Sequence, residues 1–156
     1  MHFISPSKGV LSLEEVCIDI LKHMEKEPNY KYKLIVGTDS YQRDEVCFVT
    51  AIIMHRVGKG AVYYYRKKRE QVAYGLKQRI FLEASISLEV ASLVQDLLFT
   101  LGSHFFDIEI HVDVGNAGDT KAIIKEVVGM IVGSGFSAKI KPNSYGASKV
   151  ADKYTR

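Results

Sequence analysis

Long apolar runs are missing from this chain. The longest, such as Val49-Thr-Ala-Ile-Ile-Met54, fall far short of the roughly 20 residues that cross a bilayer, which argues against a helical membrane protein. Cysteine is scarce. The 2 residues, Cys17 and Cys47, show neither C-x-x-C nor zinc spacing, so a disulfide scaffold is excluded. Reduced thiols in a cytoplasmic protein are expected instead. Proline occurs 3 times, at positions 6, 28 and 142, each where an element should begin or end. Internal repeats, low-complexity tracts and linkers are absent. Met1 to Val10 has no basic start followed by an apolar stretch, so no signal peptide is expected. Net charge is small: 21 basic minus 18 acidic residues gives +3, which permits a polyanionic partner without requiring one.

What is present is an ordinary folded composition, 47% hydrophobic and 25% charged over 156 residues. One domain spanning residues 1–156 is expected, able to bury roughly 70% of its unfolded surface without a metal or disulfide to help it fold. Ser12-Leu-Glu-Glu15 is a capping box, and a helix should follow to about Lys26. Tyr32–Asp39, Val46–Arg56 and Ala61–Glu70 read as three strands close enough to form an antiparallel meander. A long helical pattern covers about Leu76–Leu101, with Gly102 as its stop. A strand over Phe106–Val114, a helix to about Val132, a strand over Phe136–Lys141 and a short helix over about 146–154 complete the chain. The last two strands need helical crossovers onto parallel neighbours. The expected fold class is therefore α/β, a mixed five-stranded sheet with helices on both faces and an additional N-terminal helix within residues 1–30.

Acids fall where strand and helix propensity do not want them. Asp39 ends the first strand, in Ile35-Val-Gly-Thr-Asp39-Ser40; taken alone it reads as a turn-starting aspartate. Asp107-Ile-Glu109-Ile-His111-Val-Asp113-Val alternates strictly, which puts Glu109, His111 and Asp113 on one face. On the long helix, Glu83 shares the expected core stripe with Ile86, Val90, Leu93 and Leu97, whereas Glu89 falls on the wet face with Ser85, Ser92 and Asp96. An acid on an apolar stripe needs a partner or a metal. Asp152, in the last helix, has Lys149 and Arg156 at helical spacing and reads alone as a surface ion pair. Together these acids converge. The first and fourth strands should be adjacent, and carboxylates crowded at their carboxyl ends repel by about 4 kcal/mol per close pair at an effective dielectric near 20. Hard divalent cations, magnesium or manganese, relieve that repulsion.

The order of elements and the placement of these acids resemble an RNase H-like domain. More narrowly, the chain is similar to a family of short bacterial proteins held to be RNase H-like nucleases. The likeness is carried by Ser5-Pro-Ser-Lys-Gly9, Gly37-Thr-Asp-Ser40, His111-Val-Asp-Val-Gly115 and Val150-Ala-Asp-Lys-Tyr-Thr-Arg156. The resemblance implies that Asp39, Glu83, Asp113 and Asp152 are catalytic and hold two Mg2+ or Mn2+ ions roughly 3.5–4 Å apart when a nucleic acid is bound. Glu89 remains an alternative to Glu83 as the helix ligand.

Other features carry less. Tyr63-Tyr-Tyr65-Arg66-Lys67-Lys68-Arg69 interleaves aromatics and cations, which suits either a phosphate backbone with stacked bases or an edge strand defended by charge. His111 and Ser40 are candidates to orient the acids, and His55 is a weaker one. Gly115–Thr120 joins a strand to a helix start and reads as a phosphate loop or a plain capped turn. No Gly-x-Ser-x-Gly elbow supports serine chemistry. The expected function is a metal-dependent nuclease. The rival is a non-catalytic nucleic-acid- or protein-binding module on the same fold.

Overall fold

The computed structural model describes residues 1–102, 107–115 and 121–144. Its strands are β1 (His2–Ser5), β2 (Gly9–Ser12), β3 (Tyr32–Gln42), β4 (Val46–Arg56), β5 (Gly60–Glu70), β6 (Ile108–His111) and β7 (Ser137–Lys139). The helices are α1 (Leu13–Lys26), α2 (Leu76–Thr100) and α3 (Lys121–Gly133). All seven strands join one mixed sheet in the order β2-β1-β5-β4-β3-β6-β7. The meander β3-β4-β5 is antiparallel as expected, and β6 and β7 add in parallel beside β3.

Each element follows from local chemistry. β4 is apolar on both faces and is buried along nearly its whole length, as a central strand must be. The capping box forms: Glu15 N–H donates to Ser12 Oγ at 3.1 Å, and Ser12 N–H donates back to Glu15 Oε1 at 3.0 Å. α2 ends where Gly102 takes φ +92°, a left-handed conformation that a side chain would resist.

The five-stranded sheet is corrected to seven strands. Residues ahead of α1 are not purely helical: β1 and β2 form a hairpin, with His2 paired to Ser12 and Ser5 to Gly9. Pro6 to Gly9 makes the turn, and Gly9 adopts φ +78°. Four-residue strands leave too little alternation to stand out in sequence. β1 then pairs with β5 at Ile4 and Tyr65, so β5 is not the sheet edge that its charges suggested.

One sheet face carries Leu34, Val36, Ile52, Met54, Tyr64, Ile108 and Ile110, and all three described helices pack on it in a single apolar cluster. The opposite face carries Ile35, Ala51 and Ile53, with Cys47 and Val49 alongside. The helix expected over 146–154 lies outside the described residues, so helices on both faces are not seen among them. The core stripe of α2 is Ile80, Glu83, Ala84, Ser87, Val90, Ala91, Val94 and Leu98. Glu83 and Val90 lie on it as expected; Leu93 is exposed and Ile86 and Leu97 only half-buried, because small Ala and Ser side chains let the helix sit close to the sheet.

A buried carboxylate fastens the hairpin to this core. Asp19, on α1 and 6% exposed, accepts a bond from Tyr64 Oη at 2.5 Å and another from Lys8 Nζ in the hairpin turn, with His23 Nε2 at 3.5 Å. Burial works to raise its pKa, but the Lys8 and Tyr64 bonds and the nearby positive charges outweigh it and hold Asp19 below the usual range. The contribution is therefore present above the ordinary carboxylate range and lost as pH falls through it. Asp19→Ala should lower stability by about 2 kcal/mol, leaving Tyr64 Oη and Lys8 without an acceptor, and Tyr64→Phe by ~1 kcal/mol, both read by urea denaturation at neutral pH.

Candidate active site

Parallel pairing of β3 with β6 sets the geometry. Gly37 is registered with His111, so Asp39 and Asp113 each lie two residues further toward the same end of the sheet. α2 runs antiparallel to β3 beneath that end. Ser87 Oγ lies 2.8 Å from Thr38 Oγ1, which also contacts Thr50 Oγ1 at 3.0 Å in a buried hydroxyl cluster. Moving back four helix residues covers about 6 Å, matching two strand residues at about 6.6 Å. The next contact therefore falls between Glu83 and Ser40: Ser40 Oγ donates to Glu83 Oε2 at 2.6 Å. Ser40, a candidate from the sequence, thus bonds an acid.

Glu83 is 6% exposed, whereas Glu89 is exposed, so Glu83 is the acid that α2 presents to the sheet. Its pKa is pushed up to about 8. Burial is the largest cause, and the charges of Asp39 and Asp113 add to it against the Ser40 bond and the Arg79 charge. Glu83 thus feels both strand acids. Asp39 alternates to the opposite sheet face from Ser40, and its Oδ1 accepts from Ser40 N–H at 2.9 Å.

Asp113 carries a cation that its local sequence does not announce. Lys141 Nζ lies 2.9 Å from Asp113 Oδ1. Lys141 N–H donates to the Val114 carbonyl at 2.9 Å, which brings the chain after β7 alongside the end of β6. Arg79, one turn before Glu83, is a second unforeseen cation, and its buried Nε has no hydrogen-bond partner among the described residues. Lys141 is remote in sequence from the acid it faces, and only the folded register reveals it.

His111 is buried and belongs to a polar chain on the sheet face away from the helices. Its Nε2 lies 3.0 Å from Glu109 Oε1, and Lys33 Nζ lies 3.3 Å from Glu109 Oε2. Burial is the main cause that lowers the His111 pKa, with Glu109 opposing. A neutral imidazole must then donate from Nε2, because the Glu109 carboxylate only accepts. His111 supports the strand beside the acids, and its Nε2 orients Glu109. His55 ends β4 away from this centre. Asp152 and residues 116–120 lie outside the described residues.

The basic strand divides in two. Lys68 pairs with Glu70 at 3.4 Å and Arg69 with Glu45 at 3.9 Å, whereas Arg66 has no carboxylate partner among the described residues. By register Lys67 shares a row with Val49 and Asp39, two strands from the acid. Tyr65 packs on Cys47 and Val49.

A family model for Ribonuclease H-like proteins matches residues 15–156. The chain belongs to the ribonuclease H-like family. A Bacillus subtilis (strain 168) protein described as "Uncharacterized protein YkuK" is 33% identical over 166 aligned positions, covering 99% of this chain and 96% of that one. No solved structure matches the chain. The ribonuclease H-like match begins within α1, so the β1–β2 hairpin precedes it, while the Bacillus relative aligns with nearly the whole chain.

Carboxylate oxygens are the donor chemistry that a hard divalent cation takes. Asp39, Glu83 and Asp113 offer only carboxylate oxygens, and Glu83 holds its proton to about pH 8, chiefly because it is buried. Among the described residues no three His, Cys, Asp or Glu side chains are grouped closely enough to hold an ion. The raised Glu83 pKa has a stability consequence in metal-free protein. The folded state binds a proton that the unfolded chain releases near pH 4.5, so stability falls as pH rises from about 4.5 to about 8. Glu83→Gln should flatten that slope, and above pH 8 it should be the more stable protein by ~2 kcal/mol or more, measured by urea denaturation in chelator across this pH window.

Proposed function

We propose that the chain is a metal-dependent nuclease that hydrolyses phosphodiester bonds in nucleic acid. Asp39, Glu83, Asp113 and Asp152 would hold Mg2+ or Mn2+, two ions being present with substrate. The chemistry those ions supply when bound is activation of water and neutralisation of charge on the departing oxygen. The observation that carries the reading is Glu83, a buried acid held by Ser40 and raised in pKa by burial and by Asp39 and Asp113.

The chain's own residues position the acids and the substrate. Ser40 fixes the Glu83 carboxylate, and the Thr38–Ser87–Thr50 cluster fixes the helix that bears it. Lys141 balances the charge on Asp113, and the Arg79 charge works against the burial that keeps Glu83 protonated. Lys67, in register with Val49 and Asp39, would give a phosphate backbone a place to rest on β5. The second reading, a binding module without turnover, is favoured by one observation: Lys141 already neutralises one of the acids.

Incubation with Mn2+ and a panel of single-stranded, duplex, hybrid and branched DNA and RNA separates the two. The nuclease reading expects cleavage of at least one substrate, abolished by Asp39→Asn and by Asp113→Asn and unchanged by Glu89→Gln. Binding of a panel member with no cleavage by the wild type, or cleavage that survives both aspartate substitutions, would contradict it.

A further inference from the structure

Ser87 meets Thr38 and Glu83 meets Ser40, so one more turn back along α2 brings Arg79 level with Gln42, at the end of β3. Its side chain is half-buried there, on the outward side of Glu83. The backbone beneath it is pinned. Gln42 Nε2 donates to the Tyr74 carbonyl at 3.0 Å, and Tyr74 N–H donates to Gln42 Oε1 at 2.9 Å. Gly75 N–H donates to Gln78 Oε1 at 3.1 Å, and Arg79 N–H to the Gly75 carbonyl at 2.9 Å. The start of α2 is therefore fixed to the strand end, and the guanidinium rises from a rigid base.

Among the described residues Arg79 makes no ion pair, and its buried Nε makes no hydrogen bond. Acids are present at this end of the sheet, but each holds another donor. Ser40 Oγ bonds Glu83 at 2.6 Å, and Lys141 Nζ lies 2.9 Å from Asp113. Glu70, in the same row as Gln42, accepts from Tyr74 Oη at 2.7 Å and has Lys68 at 3.4 Å. A buried N–H of a charged group left without an acceptor is destabilising. The position adds to that cost: the first turn of α2 has no acid and carries Lys77, so two cations sit at the positive end of the helix dipole. A fixed guanidinium with this much unanswered positive charge suits an anion from outside the chain. Its planar fork matches two oxygens of one phosphate group.

We propose that Arg79 binds the non-bridging oxygens of a backbone phosphate of the nucleic-acid strand, beside the acids, and so holds that strand against Asp39, Glu83 and Asp113. The proposal rests on the nuclease reading and deepens it, giving the site an anchor for the strand that is separate from the carboxylates. DNA and RNA share this phosphate chemistry, so the contact secures the strand without choosing its sugar.

The test follows arginine Nε–Hε resonances of isotopically labelled protein by NMR, in chelator at neutral pH. Thymidine and uridine homopolymers and a blunt DNA duplex are added in turn. The Arg79 resonance is identified by its disappearance in Arg79→Lys. Binding should move it and leave in place that of Arg56, which pairs with Glu27 at the far end of β4. By fluorescence anisotropy, Arg79→Ala should weaken the tightest probe roughly tenfold and reduce the salt dependence by about one ion. Arg79→Lys should recover part of the loss, keeping the charge without the fork, and Lys125→Ala on α3 should change nothing. Stability of Arg79→Ala in urea should not fall; a fall with affinity intact makes Arg79 structural and overturns the proposal. An Arg79 resonance that stays in place with probe bound, affinity indifferent to Arg79→Ala, or no binding of any probe also overturns it. Cleavage in Mn2+ judges the nuclease reading separately: a moved Arg79 resonance without cleavage of any substrate upholds the phosphate contact and contradicts the nuclease.

Discussion

Parallel pairing of β3 with β6, in the register that sets Gly37 beside His111, carries the carboxyl ends of two strands to one edge of the sheet. Everything of chemical interest depends on that register. A slip of one residue would turn the alternating side chains of β6 over, sending Glu109 and His111 into the helix layer and Ile108 and Ile110 out of it. The apolar cluster beneath α2 makes such a slip costly, because Ile108 and Ile110 are both buried there. The core therefore holds the acids in place. The acids do not hold the core: Glu83 is tolerated in it through one serine bond and a retained proton.

That arrangement stores unfavourable electrostatics at one end of a well-packed sheet. Burial and two neighbouring aspartates act on Glu83, and only Ser40 and Arg79 act the other way. Strain of this kind is what functional sites show, since a fold selected for stability alone would place Leu or Met at position 83. Lys141 and Arg79 compensate in part.

Much of this was legible in the sequence, for identifiable reasons. β3, β4, β5 and α2 are long, and their patterns extend over many residues, so their existence and nearly their limits could be read. Asp39 and Asp113 stood out because aspartate is a poor strand former, but neither ends its strand as expected: Asp39 lies inside β3, whose pairing with β4 carries it on to Gln42, and Asp113 lies two residues beyond the end of β6. Glu83 stood out from Glu89 by helical phase, although the stripe itself ran along Ala84, Ser87 and Ala91 more than along the leucines. The hairpin was missed because its strands are four residues long and its turn, Pro6 to Gly9, looks like any loop. Lys8, Tyr64 and Lys141 were missed for another reason: each acts on an acid far away in sequence, and such pairings exist only once the sheet is assembled. Basic residues on β5 looked like a uniform patch until Glu45 and Glu70 were seen to neutralise half of it.

The proposed function requires Asp39, Glu83 and Asp113 to form part of one cation site. Titration of Mn2+ into isotopically labelled protein, followed by paramagnetic broadening of amide resonances, tests it without any assumption about substrate. The account predicts broadening centred on residues 37–40, 83 and 113–115 at low metal, and its loss in folded Asp39→Asn. Uniform or absent broadening at those positions in folded wild-type protein would contradict it.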